Sequence, residues 1–177
     1  MATKSKKTAT NPIDILEVLT KQHAEVDELF AALEAGDGDR AAVFQELADK
    51  LAAHAAAEEQ MFYPNVMHAQ TKQLLEESVE EHLVIKRTLA DMLVLDPDGD
   101  DEEKFDAKLS VLKESVSHHA HEEEEDKLFP ILRKLMSDES RAALGEEFLS
   151  VFDELMTRQP RLEVPDQTVD AAPLPHH

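Results

Sequence analysis

Apolar residues recur at intervals of three and four in four long stretches, the repeat of one face of an α-helix. The first stripe is Leu16, Leu19, His23, Val26, Phe30 and Leu33. Asn11-Pro12 is predicted to start this helix, because Asn caps free amides and Pro is pre-set for a first turn. Gly36-Asp37-Gly38-Asp39 breaks it, and a second stripe follows as Phe44, Leu47, Leu51, His54 and Glu58, closing at Phe62-Tyr63-Pro64. A third helix is predicted over residues 71–95, with Leu75, Val79, His82, Leu89 and Leu93 on one face, and Asp96-Pro97-Asp98-Gly99-Asp100 ends it. The fourth carries Phe105, Leu109, Leu112, Val116 and His119, then an acidic run to Leu128-Phe129-Pro130. Residues 127–136 prolong it past a proline kink or a short break. A fifth, shorter amphipathic segment spans residues 139–156 through Leu144, Phe148, Val151 and Leu155. After Thr157 the chain holds four of its eight prolines and no periodicity, the composition of a disordered tail.

Laying the second pair of helices over the first exposes an internal repeat. Helices one and three each carry a lone histidine in an apolar stripe, His23 and His82. Helices two and four each carry a histidine followed by glutamate, and both close in an aromatic residue just before proline. Two such hairpins predict an all-α, up-down-up-down four-helix bundle with all four stripes facing one axis. The predicted organisation is a flexible N-terminus at 1–11, the bundle at 12–136, an accessory C-terminal helix at 137–157 and a disordered tail at 158–177.

Composition narrows the chemistry. The chain has 177 residues, enough for one domain with a sizeable core, and its single Tyr, absent Trp and four Gly favour helix over sheet. There is no cysteine, so disulfides, thiolate metal sites and thiol nucleophiles are excluded, and any metal must take nitrogen and oxygen ligands. The net charge of −21 opposes phosphate backbones and anionic lipid, which argues against nucleic-acid and membrane partners. No stretch approaches the roughly 20 apolar residues of a membrane span, and a soluble, cytoplasmic protein is expected. Nine histidines are what composition leaves unexplained.

Placement accounts for four of them. An i, i+4 pair projects from one helix face, so His54 and Glu58 can grip one ion together. Burying carboxylates and unpaired imidazoles in a helical core costs several kcal/mol unless they are paired or bound to metal, so the set His23, His54, Glu58, His82, His119 plus a glutamate predicts a metal site. Helix four leaves that glutamate open. Counting forward from the core stripe pairs His119 with Glu123, whereas counting back from Pro130, by the six residues that separate Glu58 from Pro64, selects Glu124. Glu124 is preferred, with a π-bulge absorbing the additional residue. His118 and His121 are read as supporting or surface groups and as alternatives to His119. Residues 96–107 begin like a calcium loop, but Gly99 is misplaced and Ala107 stands where a bidentate glutamate is needed.

Gln22-His23-Ala24-Glu25-Val26-Asp27, His54 through Pro64, Glu81-His82-Leu83-Val84-Ile85-Lys86-Arg87 and His118-His119 through Pro130 together resemble the hemerythrin-like proteins with HHE cation-binding domains. The resemblance covers about residues 12–136. It implies a four-helix bundle around an oxo- or hydroxo-bridged di-iron site, with His23, His54, His82 and His119 as terminal ligands and Glu58 and Glu124, or Glu123, bridging. The His119-x4-Glu124 spacing is similar to the His-x4-Asp pattern of the oxygen carriers. Those carriers have a second histidine one turn along helix three, where this chain has Ser78 and Lys86. One imidazole fewer leaves more open coordination, which suits reaction with oxygen, peroxide or nitric oxide over simple reversible carriage. Asp27 and Lys86 are read as supporting groups or as solvated-face residues. The expected function is binding of, or reaction with, oxygen or a related small oxidant, in sensing, storage or stress defence. Two alternatives stand: a di-iron enzyme decomposing hydrogen peroxide or reducing nitric oxide, and a redox-inert zinc bundle, since the ligand types also admit Zn. The tail is read as disordered, with docking to a partner as the alternative.

Overall fold

The structure is a computed structural model that describes residues 13–36 and 38–175. These residues are helical with no strand among them. The elements are α1 (Ile15–Ala35), α2 (Arg40–Ala57), a π-helical segment π1 (Glu58–Phe62), α3 (Tyr63–Val66), α4 (Lys72–Met92), α5 (Glu102–Ser117), a second π-helical segment π2 (His118–Leu128), α6 (Phe129–Leu135), α7 (Asp138–Met156) and a 3-10 helix (Pro160–Gln167).

Local chemistry sets the ends of these helices. The Asp14 carboxylate accepts from the Leu16 amide at 2.9 Å and caps α1. The predicted start at Asn11-Pro12 lies outside the described residues. Gly36 ends α1 at φ 69°, where its amide donates to the Ala32 and Leu33 carbonyls, a left-handed cap that suits glycine. Asp39 and Ser137 cap α2 and α7 in the same way as Asp14.

The long helices pack through two apolar clusters separated by a polar layer. One cluster holds Leu16, Leu19, Phe62, Leu75, Val79, Leu128 and Phe129, and the other holds Phe30, Leu33, Phe44, Leu47, Leu89, Phe105 and Leu112. Along α1 and α4 the chain meets the first cluster, then a histidine, then the second. Along α2 and α5 the order is reversed, so the histidines of all four helices fall at one depth. That layer is where the sequence pattern substitutes polar groups for apolar ones.

Two expectations require correction. The sequence pattern predicts a regular first copy and a bulge confined to helix four, with a kink or break near Pro130. The structure has π turns in both copies and carries the helix through both prolines. The Tyr63 amide donates to Glu58 O, and the Phe129 amide to Glu124 O, five residues back. A proline cannot donate and its ring presses on the carbonyl four residues earlier. Widening the preceding turn to i→i−5 accommodates both effects, which is why each π segment abuts an aromatic-Pro pair.

The second correction concerns the tail. Its lack of periodicity predicts disorder, but Pro160–Gln167 forms a 3-10 helix packed on α2 and α4, and Val164 and Leu174 are buried. Arg161 pairs with Asp49, and Arg87 donates to the Thr168 and Val169 carbonyls at 2.9 Å each. Prolines pre-set φ and so lower the entropy lost on ordering, and isolated apolar anchors need no repeat to bind. The residues resembling a calcium loop are likewise claimed by protein: Arg40 donates to Pro97 O and Asp106 beside Asp98 and Glu102.

Helix α7 lies across α1 and α2, fastened by Arg141, which donates to Asp14 and Asp138 at 2.7 Å. Gly145 permits the contact, since a Cβ there would stand 2.1 Å from Ile13 O and 3.0 Å from Ile15 N. Helix propensity alone favours alanine at this position by about 1 kcal/mol. The backbone clash outweighs it, because overpacking costs roughly 1–3 kcal/mol and a backbone atom cannot rotate away. Gly145→Ala is therefore expected to lower the thermal midpoint by several degrees in a calorimetric scan, and a rise would show that α7 does not dock here.

Candidate metal centre

The polar layer is built from one residue pattern used twice. Helices α1 and α4 supply His23 and His82, and α2 with π1, and α5 with π2, supply His54 with Glu58 and His119 with Glu124. All six side chains are buried, Glu58 and Glu124 completely. Two overlapping groups of donor atoms result: His23, His54, Glu58 and Glu124 in one, and Glu58, His82 and His119 in the other, each with its donor atoms within 4.8 Å of one another. Glu58 belongs to both. Its Oε1 lies 3.3 Å from His54 Nε2 and its Oε2 lies 3.2 Å from His82 Nε2, so one carboxylate spans the two groups. Glu124 Oε2 faces His23 Nε2 at 3.3 Å.

Every imidazole is oriented by a hydrogen bond from its outer nitrogen. His23 Nδ1 pairs with Glu125 at 2.7 Å and His82 Nδ1 with Glu59 at 3.0 Å. His54 Nδ1 pairs with Gln22 at 2.7 Å and His119 Nδ1 with Glu81 at 2.8 Å. With Nδ1–H donating outward, a neutral ring turns the lone pair of Nε2 inward. These acceptors are not part of the sequence-predicted set. A signal for them exists in both halves: Gln22 and Glu81 immediately precede the lone histidines, and Glu59 and Glu125 immediately follow the buried glutamates.

The inner atoms lack partners. His23 Nε2, His54 Nε2, Glu58 Oε1 and Glu124 Oε2 are buried and make no hydrogen bond. Orphaned buried polar atoms cost about 1–3 kcal/mol each, more for charged groups, and four of them converging on one point fit a cation. In the other group, His82 Nε2 and His119 Nε2 stand 3.0 Å apart. Two inward lone pairs at that distance repel unless a proton or a metal ion lies between them. The donor set, imidazole nitrogen and carboxylate oxygen, suits iron, manganese, cobalt or zinc.

The π register sends the two helix-four glutamates to different places. Through π2, Glu124 turns inward, whereas Glu123 turns toward Lys127, Glu81 and His118. His118 is half-exposed, and His121 links Asp27, at 3.0 Å, to Glu125, at 3.3 Å, so neither takes the place of His119. Lys86 is buried and donates to both oxygens of Glu59 at 2.8 and 2.7 Å, which makes it a supporting group. Ser78, also buried, bonds the Leu74 carbonyl.

The sequence pattern shows Tyr63 only as an aromatic before proline. Its hydroxyl lies 3.3 Å from Glu58 Oε2, 3.2 Å from Glu124 Oε1 and 3.4 Å from His82 Nε2. Burial, reinforced by the two carboxylates, pushes the phenol well above its ordinary pKa, so it stays protonated and donates. Phe129 occupies the corresponding place in the other half and has no hydroxyl. On the side of the layer toward the second apolar cluster lies a cavity of about 30 Å³, bounded by Val26, Leu51, Ile85 and Val116 and by the four histidines. A cavity needs about 10–15 Å³ by such a measure to hold one water-sized molecule, so only something very small fits.

Electrostatics in the metal-free protein run through the same pairs. Burial opposes the charged form of His23, but the facing carboxylate of Glu124 and the hydrogen-bonded carboxylate of Glu125 outweigh it and carry the pKa up to about 10. Burial likewise opposes His82⁺, and Glu58 and Glu59 carry it up to about 9. Burial raises the Glu58 carboxyl, but His54 and His82 bring it well below the usual carboxylate range. A histidine whose folded pKa exceeds its unfolded 6.5 stabilises fully below pH 6.5, and this contribution vanishes as pH rises through the folded value. The metal-free protein should therefore lose thermal stability between pH 7 and 10, by on the order of 10 °C. Adding a divalent ion should flatten that slope and release protons, because the ion replaces them. Scans that stay level to pH 10 without metal would contradict the pairing.

A family model, the hemerythrin HHE cation binding domain, matches residues 14–132. Among curated proteins the chain is similar to a DNA nickase from Nostoc sp. (strain PCC 7120), 26% identical over 148 residues that cover 82% of this chain and 41% of the relative. The chain thus spans less than half the length of that relative. No solved structure matches. The family match runs from the cap of α1 into α6 and takes in both groups of donor atoms, and the chain belongs to the hemerythrin HHE cation-binding domain family.

Proposed function

We propose that this chain is an up-down-up-down four-helix bundle that holds two iron ions, and that it binds or reacts with dioxygen or a related small oxidant. The observation that carries this reading is the set of unpartnered inner atoms, His23 Nε2, His54 Nε2, Glu58 Oε1 and Glu124 Oε2, bordering a small apolar cavity. His23, His54, Glu58 and Glu124 would hold one ion, and His82, His119 and Glu58 the other, with Glu58 spanning both. Iron bound there supplies reversible electron transfer toward dioxygen, peroxide or nitric oxide.

The residues of the chain set the conditions. Val26, Leu51, Ile85 and Val116 give a wall that admits a small neutral molecule and excludes ions and larger substrates. Glu125, Gln22, Glu59 and Glu81 keep the four imidazoles turned inward, so geometry and basicity are set before any ion arrives. Tyr63 holds a proton within 3.4 Å of atoms in both groups, which favours a second reading in which the protein turns over peroxide or nitric oxide. The DNA-directed activity named for the Nostoc protein is not carried over, because a chain of net charge −21 lacks the cationic balance that phosphate backbones require. Among the described residues no helix is long and apolar enough to cross a membrane.

Elemental analysis of aerobically purified protein should find two irons in the buried centre, with the near-ultraviolet and visible absorption of oxygen-bridged ferric pairs. Zinc in a colourless protein would overturn the proposal. Glu124→Gln should cost at least half of that buried iron and Glu123→Gln none of it; the reverse would reassign the π register. If the protein reacts with peroxide, Tyr63→Phe should slow gas evolution about a hundredfold or more with iron content unchanged, within the range of general-acid contributions. Unchanged turnover would remove Tyr63 from the chemistry.

A further inference from the structure

The two halves of the centre correspond residue by residue, and the comparison isolates one feature that the buried pair does not use. Aligning His54 with His119 sets Ala53 against His118. Aligning Glu58 with Glu124 sets Ala57 against Glu123, and aligning His23 with His82 sets Gln22 against Glu81. The first half therefore has Gln22, Ala53 and Ala57, one neutral amide and two buried methyls. The second has Glu81, His118 and Glu123, three metal-ligating side chains at the same places.

These three converge. His118 Nε2 lies 3.4 Å from Glu81 Oε1 and 3.6 Å from Glu123 Oε1, and all three offer donor atoms within 4.8 Å of one another. Glu123 is the second line of evidence. Its side chain is only 8% exposed, and while Oε1 faces His118 and takes a bond from Lys127, Oε2 is buried without any hydrogen-bond partner. A carboxylate desolvated to that degree with one oxygen unsatisfied is only partly compensated. Lys127 does not complete it, since its ammonium is more than half exposed at the end of a flexible stem and meets Oε1 alone, leaving Oε2 without a partner. His118, 47% exposed, opens the cluster to solvent.

We propose that Glu81, His118 and Glu123 form a third, solvent-accessible site for a first-row divalent cation, adjoining the buried pair and joined to it through Glu81. One imidazole and two carboxylates select ions such as Fe²⁺, Mn²⁺, Co²⁺ or Zn²⁺ over Ca²⁺ and Mg²⁺, which prefer all-oxygen sites. Lys127 swings away when the ion binds, and water completes the coordination. Glu81 is shared: Oε1 faces the cluster while Oε2 accepts from His119 Nδ1 at 2.8 Å. An ion on Glu81 withdraws charge from the carboxylate that orients His119, so occupancy of the outer site weakens the hold on an imidazole of the buried group.

Equilibrium dialysis of the metal-free full chain against Zn²⁺, with elemental analysis, tests the site whichever metal the buried pair holds. Three ions per chain are expected, the third released at zinc concentrations at least tenfold above those that empty the other two. His118→Ala and Glu123→Gln should each leave two ions, with the helical circular dichroism of the parent. His54→Ala should lose buried zinc but keep the zinc that His118→Ala removes. A count in the parent that neither His118→Ala nor Glu123→Gln reduces overturns the outer site while leaving the buried pair intact. Zinc sensitive to His118→Ala and indifferent to His54→Ala, with no other ion bound, keeps the outer site and removes the buried one.

Discussion

The constraint on which this protein depends is the layer of imidazoles and carboxylates that its helices bury at one depth. Each ring is pinned by its outer nitrogen to an acceptor on another helix, so the inner atoms cannot turn away to find water. An uncompensated buried charge costs several kcal/mol, and the layer contains two completely buried glutamates. It persists because apolar clusters on either side, each with more than a dozen buried residues, contribute about 1.5–3 kcal/mol per large side chain. The same clusters exclude water from the layer, which strengthens every pairing within it. A fold of this kind stores its free energy in the ends and offers the middle for chemistry.

The pairing rule is two-fold, but its chemistry is not. The acceptor on His54 is the neutral amide of Gln22, whereas the acceptor on His119 is the carboxylate of Glu81. Glu59 is held by Lys86, and Glu125, its counterpart, is held by His121 backed by Asp27. Tyr63 brings a hydroxyl to one side and Phe129 only an apolar ring, stacked on His23, to the other. The two groups of donor atoms thus differ in local charge and proton supply while sharing Glu58. That difference lets two ions in one scaffold behave unequally.

Much of this was legible along the chain. The apolar stripes placed α1, α2, α4, α5 and α7 because burial of one face imposes a three-to-four spacing whatever the neighbours are. The lone histidines in those stripes and the His54-Glu58 pair identified the polar layer for the same reason. Glu123 against Glu124 was left open because in a run of four glutamates each step turns the side chain by about 100°, and the local pitch decides which one points inward. The outer acceptors do not stand out along the chain, because a charge on the flank of a helix reads as a solvated face until another helix is laid against it. The docked tail escaped because two anchoring residues, Val164 and Leu174, form no repeat.

The sequence by itself determined the helices, the depth of the polar layer and the donor types available to it, since these follow from periodicity and side-chain chemistry within single elements. The tertiary structure decided what depends on several elements meeting. It turned Glu124 inward and Glu123 outward, placed the Tyr63 hydroxyl between two carboxylates, matched each imidazole to its acceptor and closed the tail over α2 and α4. Those outcomes rest on distances of a few ångströms between residues up to about a hundred positions apart, and local patterns point to some of them without fixing any.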